Sequence, residues 1–174
     1  MTVQVDEDEH SIEMQLPYIA RAIAESGRDI TVVPILVGAL NPSAEMLYGK
    51  ALAKYLDDPR IFFAISSDFC HWGSRFDYTP YKKDFGAIHK YIEALDFEGI
   101  EHIQNQDPTK FQSYLARTKN TICGRHPIAV LLHAITAAQT RFDVRFVRYA
   151  QSEPCVKRSD SSVSYASAVV TAAS

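Results

Sequence analysis

The sequence predicts a mixed α/β domain, a central β-sheet flanked by helices, and three observations carry that expectation. Helical and strand-like patterns alternate through the early chain, two apolar runs at 30–37 and 61–66 read as buried strands, and two alternating segments close the sequence. At 174 residues the chain fits a single domain, 1–174, that buries about 70% of its unfolded surface, enough for a core without disulfide or metal staples.

From Ser11 to about Ala24 the residues Ile12, Leu16, Ile19 and Ile23 recur every three or four positions and predict a helix. Pro17 restarts that helix, and Ser26-Gly27 ends it. The run Ile30-Thr-Val-Val-Pro-Ile-Leu-Val37 predicts a strand buried on both faces, with Pro34 marking a bulge or an edge. Asn41-Pro42 is a cap followed by a first-turn proline, opening a helix to about Leu56 that Asp57-Asp58-Pro59 stops. A strand follows at 61–66.

Helical patterns then occupy roughly 81–95, 97–105 and 108–117, the last opened by Asp107-Pro108. Pro127 starts a further helix with Ile128, Leu131, Leu132 and Ile135 on one face. Val144–Ala150 and Val163–Val170 alternate as strands across a polar stretch, 152–162.

Composition narrows the classes of function. Hydrophobic content of 47% and charged content of 22% are ordinary for a soluble globular protein, and no apolar stretch approaches the roughly 20 residues of a membrane span. A net charge of −3 without a Lys/Arg block argues against nucleic acid or an anionic membrane as partner. The run Asp6–Glu9 reads as a solvated face at the start of a helix. Three widely spaced cysteines, Cys70, Cys123 and Cys155, suggest free thiols in a cytoplasmic protein. There is no G-x-S-x-G elbow, Walker loop, dinucleotide fingerprint or paired C-x-x-C, so esterase, nucleotide and zinc-ribbon readings lose support.

Chemistry concentrates in two short segments. In Ile61-Phe-Phe-Ala-Ile-Ser-Ser-Asp-Phe-Cys-His-Trp-Gly73 an apolar run breaks into Asp68, Cys70 and His71, where ligands bind beyond the carboxyl ends of strands. Asp68 and His71 project to one side if a helical turn begins there, and suit either iron, zinc or copper, or an acid/base pair. The plainer alternative has Asp68 capping a turn and His71 packing under Trp72. In Asn120-Thr-Ile-Cys-Gly-Arg-His-Pro127, Cys123 precedes a helix whose free N–H groups favour a thiolate, with Arg125 and His126 adding positive field. That thiol is a candidate metal ligand, a nucleophile paired with His126, or a small buried hydrophobe. Arg125 is also a candidate phosphate-binding residue, or the partner of a carboxylate. Flanking carboxylates would orient the ring of His10, with a solvated capping histidine as the simpler alternative.

Taken together, Asp6-Glu-Asp-Glu-His-Ser-Ile-Glu-Met-Gln-Leu-Pro-Tyr18, Val-Pro-Ile-Leu-Val-Gly-Ala39, Ser-Ser-Asp-Phe-Cys-His-Trp-Gly73, Asn-Thr-Ile-Cys-Gly-Arg-His-Pro-Ile128 and Asp160-Ser-Ser-Val-Ser-Tyr-Ala166 resemble the Memo family, mediators of receptor-driven cell motility. The resemblance runs nearly end to end. It implies a fold like the class III extradiol ring-cleavage dioxygenases, with a central sheet carrying a metal pocket associated with iron or copper and redox activity. By match of motif Cys123 is the metal-binding cysteine, Asp68 and His71 are the pocket's aspartate and histidine, and His10 and Arg125 lie near it. The resemblance also implies phosphotyrosine-containing signalling partners, and the nucleus as a second compartment beside the cytoplasm. Family members carry a segment ahead of the Glu-His-Ser motif with two further metal-ligating histidines. The sequence is therefore expected to be the C-terminal part of such a protein, with an incomplete metal site and an exposed sheet edge open to a partner.

Overall fold

The computed structural model describes residues 2–173, except for the side chain of Asp6, and divides into two compact units, Met1–Gly38 and Ala39–Ser174. In the first unit a short helix α1 (Val3–Glu7) takes in part of the acidic run, and a 3-10 turn (Glu13–Gln15) leads into α2 (Leu16–Ser26), with Pro17 in its first turn. Proline is tolerated there because its missing N–H would lack an intrahelical partner anyway. Gly27 ends α2 at φ 63°, the left-handed region that glycine enters without steric cost.

The remainder of that unit departs from expectation. Residues 30–37 form no strand: Val33 is 78% exposed and Ile35, Ile30 and Leu36 are also open to solvent. The β-branched composition is present, but a strand requires a hydrogen-bonded neighbour, and no ladder reaches this run among the described residues.

In the second unit α3 (Pro42–Leu56) opens as its sequence predicts, with Asn41 Oδ1 accepting from the Ala44 amide at 2.9 Å. It packs against α6 (Arg125–Ala137) through Gly49, where a Cβ would stand 2.4 Å from that of His133. The patterns expected at 81–95 and 97–105 are one continuous helix, α4 (Ile88–Gln104), preceded by a 3-10 turn at Lys83–Phe85. Its buried stripe of Ile88, Ile92, Leu95, Gly99 and Ile103 has helical spacing throughout, so nothing breaks it at 96. Next, α5 (Pro108–Thr118) is capped by Asp107, whose Oδ1 accepts from the Lys110 amide at 2.9 Å. Its Tyr114 ring fills the space opposite Gly99.

The sheet has three strands in the order β1-β3-β2: β1 (His71–Trp72), β2 (Phe142–Gln151) and β3 (Ser162–Ala172). β2 and β3 pair antiparallel from Phe142↔Ala172 to Gln151↔Ser164, with a bulge between Phe146 and Arg148, and β1 pairs antiparallel with β3 at His71↔Val163. The chain is thus α/β, with a small antiparallel sheet in place of the larger central one expected. The strand placed at 61–66 is absent. Pairing to β3 begins only at Phe69, whose N–H donates to the Ser164 carbonyl at 2.8 Å, while Phe62, 88% exposed, lies outside any ladder. Phe69, Trp72, Ile92, Phe111, Tyr114, Ile122, Leu132 and the thiols of Cys70 and Cys155 make up the core. No helix among the described residues is long and apolar enough to cross a membrane.

Candidate functional site: a thiol at the meeting of two loops

Both sequence-predicted segments of the second unit meet in space. The Asp68 backbone N–H donates to Cys123 Sγ at 3.1 Å, and Ser67 Oγ lies 3.9 Å from the same sulfur. Cys123 is exposed, whereas Cys70 and Cys155 are buried, so one of the three thiols is available for chemistry. Burial pushes the Cys70 thiol up, reinforced by the Asp96 charge, which keeps it protonated and inert.

The two loops approach closely because residue 124 has no side chain. A Cβ on Gly124 would sit 2.4 Å from Ser67 Cβ and 2.7 Å from the Ser66 carbonyl. The Gly124 N–H donates to Ser67 Oγ at 3.0 Å, which donates in turn to the Asp68 carbonyl at 2.7 Å. Gly124 has an ordinary φ of −85°, so it is the loop contact and not a strained turn that requires glycine here.

His71 stands in β1, not on a helical turn, yet it does face Asp68, with Nε2 3.5 Å from Oδ2. The hydrogen bond that His71 donates to the Asp68 carboxylate raises the His71 pKa above its ordinary value, against the opposing effect of burial. Nδ1 lies 3.1 Å from the carbonyls of both Phe69 and Thr121, which fixes Nδ1 as the protonated nitrogen. Thr121 grips the backbone of the same residue: its Oγ1 accepts from His71 N–H at 2.7 Å and donates to His71 O at 3.0 Å. The ring packs edge-on to Phe76 and not under Trp72. Thr121 and Ser67 lie within the two quoted segments, but nothing in their residue type marks them as the contacts that join the loops.

Other candidates fall elsewhere. His126 is held by the buried Glu45 of α3, Nδ1 to Oε1 at 2.6 Å, which withdraws it from a nucleophile pair with Cys123. Arg125 donates to the Ile122 carbonyl at 3.4 Å, and no carboxylate among the described residues pairs with it. With Gln112, Lys119, Thr121, His126 and Glu45 it lines an open cleft of about 460 Å³. His10 is exposed in the first unit, and the neighbouring Glu9 carboxylate turns to its own backbone, capping the amides of Ser11 and Ile12. Hydrogen bonding from the Ser11 hydroxyl lowers the Glu9 pKa.

The sequence also gave no sign of Asp96, which is fully buried between α4 and the sheet. Burial pushes its carboxyl pKa up, opposed by hydrogen bonds from Ser164, Asn120, Tyr149 and the Cys70 amide.

These residues can be tested against iron or copper. Among the described residues no three His, Cys, Asp or Glu side chains converge to hold a metal ion. Cys123 Sγ is engaged by an amide, and the His71 nitrogens face two carbonyls and a carboxylate. By themselves, therefore, Cys123, Asp68 and His71 do not fit a closed metal site; they present a thiol held against the backbone of the loop that carries an imidazole–carboxylate pair.

Comparison with known proteins gives this pair of loops a family. The sequence profile described as Memo-like protein matches residues 1–169. The chain is 53% identical over 169 residues to Protein MEMO1 of Xenopus laevis, covering 95% of this chain and 57% of that protein. It is 51% identical over 174 residues to Protein MEMO1 of Homo sapiens, covering 98% and 59%, and 45% identical over 171 residues to Protein memo-1 homolog of Caenorhabditis elegans, covering 95% and 48%. The chain spans less than three fifths of the length of these relatives. With a whole-chain profile match and identity near one half across three animal lineages, the chain belongs to the Memo family.

Proposed function

We propose that this chain carries the thiol-bearing share of a redox pocket that takes iron or copper, in a cytoplasmic protein of cell-motility signalling. The contact of the Asp68 amide with Cys123 Sγ carries the reading, because it joins an exposed sulfur to the loop holding Asp68 and His71. A bound iron or copper ion would supply one-electron chemistry, and Cys123 is the residue that would hold it. Asp68 faces Nε2 of His71, and that imidazole would hold a proton on the loop that meets the thiol. Since the three side chains do not close a site alone, further donors would come from polypeptide outside this span. Anaerobic titration of the purified chain with iron(II) and copper(I), beside Cys123→Ser, tests the assignment. Binding of one ion per chain that the variant abolishes is expected; equal binding by the variant overturns it.

A specific observation favours a second reading, a module that binds phosphotyrosine-containing signalling proteins. Arg125 has no carboxylate partner among the described residues and lines the 460 Å³ cleft with Lys119 and His126. Affinity for a phosphotyrosine peptide that survives Cys123→Ser and falls in Arg125→Ala supports this role, and no detectable binding excludes it.

A further inference from the structure

The buried carboxylate at the base of the two loops has no part in the function proposed above, and its bonds lead to both. Asp96 Oδ1 accepts from Asn120 Nδ2 at 3.0 Å and Oδ2 accepts from Tyr149 OH at 2.9 Å, and Tyr149 OH lies 3.3 Å from Oγ of Ser164, whose backbone bonds to Phe69 and Cys70 of the Asp68–His71 loop. No Lys, Arg or His among the described residues pairs with it, so N–H and O–H dipoles alone offset its charge. A buried carboxylate is costly, and an apolar side chain of similar volume would pack there with less loss of stability. What the carboxylate adds is direction, because each bond fixes one element.

Two of those elements are the candidate site itself. Cys70 adjoins His71 and follows Asp68, while Asn120 adjoins Thr121 and precedes Cys123. Asn120 is fully engaged: Nδ2 also donates to Tyr114 OH at 2.7 Å, and Oδ1 accepts from the Thr121 amide at 2.8 Å. Above Asp96 the Thr121 hydroxyl clamps the His71 backbone, and above that the Asp68 and Gly124 amides meet Cys123 Sγ and Ser67 Oγ. The loops are thus joined in three layers, of which only the lowest is out of reach of solvent.

We propose that Asp96 is the positioning residue of the Cys123 centre, its buried carboxylate setting the loop that carries Asp68 and His71 against the loop that carries Cys123. The inference deepens the function proposed above and rests on it for the importance of the centre, but its geometry makes no reference to a metal. Asp96→Asn keeps the shape but removes the charge and one acceptor oxygen, so the Tyr149 hydroxyl must turn from donor to acceptor although it already accepts from Gln151 Nε2. Only the bonds that Asp96 makes to Asn120 and Tyr149 are then disturbed.

Amide hydrogen exchange by NMR on the metal-free chain reads the consequence directly. In Asp96→Asn the Asp68 and Gly124 amides are expected to exchange at least about tenfold faster, while amides within α3 and α6 keep their rates. The swapped pair Asp96→Asn/Asn120→Asp restores a carboxylate–amide bond and is expected to return both rates toward wild type. A general loss of stability would raise exchange in the helices equally and would not respond to the swap. Unchanged Asp68 and Gly124 exchange in a folded Asp96→Asn overturns the proposal, as does uniform loosening that the swap leaves in place. Should Asp96→Asn fail to fold, Asn120→Ala cuts the route to Thr121 with the carboxylate intact, and unchanged exchange at the same two amides there is equally fatal. A failed metal titration with these exchange effects intact would instead reject the redox reading alone.

Discussion

Two apolar stretches of the Ala39–Ser174 unit have opposite fates. Along α4, Ile88, Ile92, Leu95, Ile100 and Ile103 disappear into the core, whereas along 61–65 Ile61 and Phe62 stand in solvent, Phe62 at 88% exposure. Both carry enough apolar surface to drive burial. The difference lies in where the backbone finds its hydrogen bonds. A helix satisfies its own amides and needs only one face covered, while an extended run needs a neighbouring strand before its side chains can be buried. Three residues further on the chain meets β3, and at once Phe69, Cys70 and Trp72 are buried.

The comparison breaks most readily at the core. Phe111, fully buried against Tyr114, is expected to lose about 3–5 kcal/mol on truncation to alanine, read as a lower midpoint in urea denaturation. A loss below about 1 kcal/mol would mean that this half of the unit is as loosely held as 61–65.

Close backbone approaches come next. Gly49→Ala and Gly124→Ala each push a methyl group against backbone or Cβ atoms at 2.4–2.9 Å and are expected to cost about 1–3 kcal/mol. They should differ in reach: Gly49→Ala parts α3 from α6, while Gly124→Ala parts the thiol loop from Ser67. The double variant Gly124→Ala/Ser67→Gly, which removes the opposing Cβ, should recover most of the stability lost in the single variant. No recovery would mean that the contact at Ser67 is incidental.

Local chemistry made some of this architecture legible. Asn41-Pro42 and Asp107-Pro108 announced α3 and α5 because a cap and a first-turn proline act within four residues. The alternation of β2 and β3 was visible because one face of each is partly buried. By contrast, nothing in 61–66 shows whether a partner strand exists, since pairing is settled far away in sequence. Of the candidate site, Cys123, Asp68 and His71 stand out by residue type and motif. Thr121, Ser67 and Asp96 do not, because a hydroxyl or a lone carboxylate in a helix gains its role only from contacts between residues far apart in the chain. The partner of His126 was hidden for the same reason, as Glu45 looks like an ordinary first-turn acid of α3 until α6 is packed on it.

Smaller effects sharpen the contrast at the edges of the packed body. Asn41→Ala removes a cap and is expected to cost about 1 kcal/mol in thermal or urea unfolding. Acid should act on the same body. Backbone amides of Gln139, Lys110 and Lys157 lower the pKa values of Asp57, Asp107 and Asp160, and Arg60 holds Asp58 down at about 2. Depressed folded-state values mean that the native chain releases these protons more readily than the unfolded one. Their stabilisation is therefore full above the ordinary aspartate value of 3.8 and is lost as pH falls below it, for Asp58 toward about 2. Asp57→Asn, which cuts the tie from α3 to the Gln139 and Thr140 amides, should flatten that part of the stability–pH curve; an unaltered slope would show that the tie is not made in solution.

The smallest expected change in stability is at Phe62, and it bears on the comparison most directly. Phe62→Ser removes a ring that is 88% exposed and should alter unfolding free energy by no more than about 0.5 kcal/mol. Its effect should appear instead in association, because a run with unpaired amides and an exposed aromatic ring favours strand addition from another chain. Sedimentation velocity at rising concentration is expected to show less self-association for the variant, and the amides of residues 62–65 should exchange far faster than those of Cys70 and Thr121 in both proteins. A Phe62→Ser protein that is markedly less stable, with slow exchange at 62–65, would place this run in a closed sheet. The contrast with α4 would then be one of position, not of unmet pairing.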